Sequence, residues 1–104
     1  MKSRKRRQDT NHAVYMLVNT NTSEHYIGIT VCGSQVKQAM KVRFQKHVRR
    51  ALTENKDWAL CKSIRKHGAE AFSMILIDIV RGRKAAHAYE REIINGDMPA
   101  LNSH

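Results

Sequence analysis

The chain is short of everything a disulfide scaffold, a zinc site or a membrane span would need. It has two cysteines, Cys32 and Cys61, far apart and in no CxxC arrangement. Six histidines are scattered with no HxxxH-type pair to join them, so a zinc site is not expected. Both thiols read instead as reduced, buried, small hydrophobes. No apolar run approaches the roughly 18 residues a membrane helix requires; Met74-Ile75-Leu76-Ile77 has the length of a strand. The basic N-terminus leads into polar residues rather than an apolar stretch, so no secretory signal is expected. The expected location is the cytoplasm, of a cell or of an infected host. There is no internal repeat, and no low-complexity segment beyond the first residues.

Acidic residues are scarce too: nine Asp and Glu stand against nineteen Lys and Arg, a net charge of +10 on 104 residues. Such a field recruits polyanions through counterion release, with nucleic acid the expected partner and an anionic membrane surface second. Residues 1–12 read as a basic N-terminal arm carrying Lys2, Arg4, Lys5, Arg6 and Arg7. Outside Lys2 to Asp9 there remain fourteen basic and eight acidic residues, so the body is basic as well. At 41% apolar and 27% charged, residues 13–104 have the composition of one ordinary globular domain.

Ala13 to Val18 is rich in β-formers and ends in the turn cluster Asn19 to Ser23; His25 to Val31 follows as a second strand. Matching Val14, Met16 and Val18 with Ile27, Ile29 and Val31 on one face puts Tyr15 and Tyr26 together on the other, with Gly28 leaving space beside them. Gln35 to Thr53 has helical periodicity, with Ser34 as N-cap and an apolar stripe of Val36, Met40, Phe44 and Val48, extended by Ala51 and Leu52. Arg43 and His47, four apart, lie at the edge of that stripe and can reach into a cleft. A short helix from Trp58 to His67 stops at Gly68. Phe72 to Val80, apolar on both faces, predicts a central strand. Arg83 to Asn95 predicts a last helix with Ala86, Tyr89 and Ile93 toward the core. Trp58, Phe44 and Phe72 are assigned to packing rather than to base stacking. The sum is an α+β domain, a small three-stranded antiparallel sheet flanked by helices in the order β-β-α-α-β-α.

Ala13-Val14-Tyr15, then Tyr26-Ile27-Gly28 with Thr30, Arg43-Phe44-Gln45-Lys46-His47, Lys66-His67-Gly68 with Phe72, Glu90-Arg91-Glu92 with Ile94, and Asn102 after Leu101 occur in that order. In this the chain resembles the GIY-YIG nuclease family, in particular the catalytic domains of intron-encoded homing endonucleases and related phage enzymes. Each match alone is weak; their order, spacing and element type carry the resemblance. The first tripeptide departs from it, with Ala13 for Gly and Val14 for Ile. Alanine suits that place if the backbone there has no positive φ.

The resemblance implies a metal-dependent DNA endonuclease hydrolysing phosphodiester bonds. It implies that Glu92 holds one divalent ion, Mg²⁺ or Mn²⁺, as a Lewis acid. Arg43 would clamp phosphate oxygens with its planar donor fork. Tyr15 would be the general base, supported by Tyr26 and sharing proton transfer with His47. A phenol ordinarily titrates near 10, so Arg43 and the metal are expected to lower Tyr15. Asn102 is expected to fix geometry on the metal side. Lys46 and Arg50 join the basic arm as expected contacts to DNA. Taken singly, each of these residues has an ordinary packing or surface reading. Two alternatives stay open, a binding module that kept the fold without cleavage, and an RNase. The sequence leaves target choice undetermined; low intrinsic specificity is expected, with address supplied by self-association or by a partner protein.

Overall fold

A computed structural model describes residues 10–54 and 58–102. Its elements are β1 (Asn11–Asn19), β2 (His25–Val31), α1 (Val36–Arg49), α2 (Ala59–His67), β3 (Phe72–Arg81) and α3 (Arg83–Asp97). The basic arm, with Lys2, Arg4, Lys5, Arg6 and Arg7, lies outside the described residues. The first strand begins at Asn11, so Asn11 and the buried His12 belong to the sheet rather than to the arm.

The α+β class and the three-stranded antiparallel sheet are as expected, and the hairpin register is the one the hydrophobic pattern predicts. Val14 pairs with Ile29, Met16 with Ile27, Tyr15 with Gly28 and Leu17 with Tyr26. Ala13 is fully buried in ordinary strand backbone, since among the described non-glycine residues positive φ occurs at Ser23 and Met98. The Ala-for-Gly departure therefore carries no conformational strain.

The sheet order is β2-β1-β3, so β3 is an edge strand and β1 the central one. Its apolar run predicted the reverse, but Ile75, Leu76, Ile77 and Ile79 all remain exposed. A bulge lies opposite Val14 and Tyr15, which pair with Asp78 and Leu76 and leave Ile77 as the extra residue. The Asp78 carboxylate then accepts the Ile79 N–H at 2.8 Å, placing a charge on the edge.

Tyr15, Leu17 and Ala13 point into the main core, built with Met40, Ala51, Leu60, Cys61, Ile64 and Leu101, and Phe44, Trp58 and Phe72 pack against it. The cysteines are buried free thiols, as read from their spacing. Val14, Ile27 and Ala86, fully buried outside that cluster, fill the opposite face, where α3 contacts all three strands.

The first helix differs from its predicted bounds. Gln35 rather than Ser34 occupies its N-cap, with no side-chain hydrogen bond. After Arg49 the chain widens into a π-helical turn over Arg50–Glu54, which keeps Ala51 buried and turns Leu52 out to solvent. Among the described residues no helix is long and apolar enough to cross a membrane.

Candidate active site

Strand pairing builds the first part of the site. Because Tyr15 sits opposite Gly28, its ring lies over a position with no side chain; a Cβ there would stand 2.6 Å from the Tyr15 hydroxyl oxygen and 2.8 Å from Cε1 of Tyr26. Only glycine admits both phenols at this spacing. The rings are 6.3 Å apart between centroids. From α1, seven residues after the buried Met40, His47 enters the same pocket of side chains. Its ring meets Tyr26 edge-on at 5.2 Å, and its Nε2 stands 2.8 Å from the Tyr15 hydroxyl oxygen.

Burial and the charges beside the pair set its protonation, and the Arg43 guanidinium acts to lower Tyr15. Burial, followed by the positive charges of Arg43 and Arg50, pushes His47 down to about 4. The imidazole is therefore neutral near pH 7. Burial raises Tyr15 well above the ordinary phenol range, with Tyr26 adding to the rise and Arg43 only partly opposing it. Tyr26 is also raised, first by burial, against the lowering effect of Arg43. Arg43 acts to lower Tyr15, as expected of it, but desolvation outweighs one guanidinium.

A cavity of about 670 Å³ opens beside the edge strand β2. Tyr26 and Thr30 reach it from one face of the strand, Ile29 and Val31 from the other, and α1 contributes Arg43 and Lys46. Helix α3 contributes Arg83, His87 and Glu90. The Arg43 Nε is buried and has no hydrogen-bond acceptor among the described residues. A buried guanidinium donor left in this state fits an anion that the cavity would receive.

Several placements differ from those expected. Tyr15 is fully buried, behind Tyr26 rather than on the cavity wall. Glu92 does not face the cavity: it is exposed, and its charge acts on Tyr89 instead. The carboxylate in the cavity is Glu90, half-buried and raised by burial, with His87 and Arg43 opposing that rise. The cause is helical geometry, since Glu90 is four residues after the buried Ala86 and Glu92 is two further round the helix. That periodicity was available in the sequence, which also places Arg83, His87 and Glu90 on one helix face.

Asn102 is likewise not on the cavity wall. Its Oδ1 accepts the Ile27 N–H at 2.7 Å and its Nδ2 donates to the Ile27 carbonyl at 2.8 Å. The side chain thus acts as a short strand on the β2 edge and holds the residue between Tyr26 and Gly28. Lys46 lines the cavity, whereas Arg50 lies over the Trp58 ring, 5.9 Å from its centroid. Among the described residues no group of three or more His, Cys, Asp or Glu gathers to hold a metal. Any ion here would rest on few protein donors, with Glu90 the oxygen ligand at hand.

No family model, curated protein or solved structure matches the chain.

Proposed function

We propose that the chain is a metal-dependent DNA endonuclease of the GIY-YIG type, hydrolysing phosphodiester bonds in the cavity beside β2. The observation that supports this reading most is the convergence there of Tyr26, the unsatisfied Arg43 and Glu90, backed by the Tyr15–His47 hydrogen bond. A pure binding surface needs cations but has no use for a buried phenol hydrogen-bonded to a neutral imidazole behind a second phenol on the wall.

Each residue has a part that its position supports. Arg43, with Lys46 and Arg83 beside it, receives phosphate oxygens and offsets the charge that builds on them. Tyr26, the phenol on the wall, contacts the attacking water. Tyr15, hydrogen-bonded to His47, stands behind it, and the two hold the Tyr26 ring from within the core. A single half-buried carboxylate fits an ion that keeps several waters and shares oxygens with its substrate, so Glu90 would hold Mg²⁺ or Mn²⁺. When bound, such an ion supplies Lewis-acid polarisation of the phosphate and help for the leaving oxygen. Asn102 is a positioning residue that acts through β2.

One cavity cuts one strand, so a double-strand break requires a second copy or a second visit. The surplus of cations around the cavity implies charge-led binding of low sequence specificity. A plasmid-nicking assay with Mg²⁺, comparing the unaltered chain with Glu90→Gln, tests the reading, with matched RNA as a parallel substrate. Cleavage of DNA by the unaltered chain alone supports it. Binding without cleavage by both proteins replaces it with a binding module, and cleavage of RNA alone with an RNase.

A further inference from the structure

We propose that His87 is a second protein ligand to the divalent ion, making the seat on α3 a mixed nitrogen and oxygen site that favours Mn²⁺ over Mg²⁺. This deepens the reading above and rests on its assignment of an ion to Glu90. His87 and Glu90 are three residues apart on α3, the spacing at which helical side chains meet, and both line the cavity. The Nδ1 of His87 is 3.7 Å from Oε1 of Glu90. Two donors on one ion with bonds of about 2.1 Å stand about 3.0 to 3.4 Å apart when adjacent, so a shift of a few tenths of an ångström closes the pair.

The charge around the site argues for the second donor. Arg43, Lys46 and Arg83 share the cavity with Glu90, the one carboxylate lining it among the described residues. These cations oppose the pull of the Glu90 carboxylate on a divalent ion, and an imidazole adds a second donor without a further anion. Imidazole also ranks Mn²⁺ and Co²⁺ above Mg²⁺, which takes oxygen ligands and gives up its waters reluctantly. The other cavity histidine, His12, differs in its tie: its Nδ1 bonds the Thr10 carbonyl at 2.8 Å, and among the described residues no carboxylate pairs with it.

The test is Mn²⁺ bound to the full chain, read by electron spin-echo modulation from a coordinated nitrogen, with Mg²⁺ affinity measured by competition. The unaltered chain is expected to show nitrogen modulation and His87→Gln to lose it. His87→Gln is also expected to lower Mn²⁺ affinity about tenfold while changing Mg²⁺ affinity less than about twofold. Glu90→Gln is expected to weaken both ions. His87 is nearly half exposed, so its replacement should leave the far-ultraviolet circular dichroism unchanged. Absence of nitrogen modulation in the unaltered chain overturns the proposal, as does its persistence in His87→Gln or its loss in His12→Gln instead. None of these readouts requires cleavage, so a nitrogen-ligated ion on a chain that cuts nothing would refute the nuclease and leave this site standing.

Discussion

Tyr15 and Gly28 face each other across the β1–β2 pair so closely that a methyl group on Gly28 would meet the phenol at 2.6 Å. The glycine is needed for room, not for backbone freedom, because its φ lies outside the positive range occupied by Gly33, Gly68 and Gly82. Tyr15 is fully buried and cannot swing aside into solvent. Gly28→Ala is therefore expected to displace the ring, break the 2.8 Å contact with His47 and cost about 1–3 kcal/mol of stability. Denaturant unfolding together with nicking rates checks this. An alanine variant with unchanged stability and activity contradicts the packing described.

His47 links stability to pH. It titrates near 4 when folded against 6.5 as the reference value, so between those values the unfolded chain binds the extra proton. Stability should fall as pH drops from about 7 to about 4, by on the order of 3 kcal/mol from this group, and level off below. Urea midpoints across that range for the unaltered chain and for His47→Gln measure it. The variant should lose most of this slope.

Asn102 makes two hydrogen bonds to Ile27 and none to a cavity residue. Asn102→Ala should destabilise the fold by about 1–3 kcal/mol through the orphaned Ile27 groups, while leaving Mn²⁺ affinity unchanged. A large loss of ion affinity at intact stability would return Asn102 to the metal side.

Lys46 and Arg50 are four apart on or just after α1 but should behave differently. Lys46→Ala removes a cavity cation and should lower the slope of log binding constant against log salt by about one. Arg50→Ala removes a cation packed over Trp58 and should appear mainly as lost stability. Equal salt slopes for both variants would show that the cavity is not where the phosphates lie.

The sequence made the hairpin legible because period-two alternation on both strands allows one register, and that register brings Tyr15, Tyr26 and Gly28 together. Arg43 and His47 were legible from four-residue spacing beside an apolar stripe. What misled was local in each case. The double-faced apolar run of β3 does not say how many helices will cover it, and here they crowd onto β1 and β2. For the carboxylate, the tripeptide Glu90-Arg91-Glu92 offers two candidates, and the face defined by Ala86 and Ile93 decides between them. Burial depth was not legible: nothing in the strand pattern distinguishes the enclosed Tyr15 from Tyr26 on the wall.

The carboxylate assignment tests the account most directly. Glu90→Gln and Glu92→Gln differ from the parent by the same chemistry two residues apart, one in the cavity and one exposed. Measured by plasmid nicking in Mg²⁺ at matched stability, Glu90→Gln should lose about a hundredfold or more in rate, while Glu92→Gln stays within about threefold of the parent. The reverse order, with Glu92→Gln inactive and Glu90→Gln active, would contradict the site described.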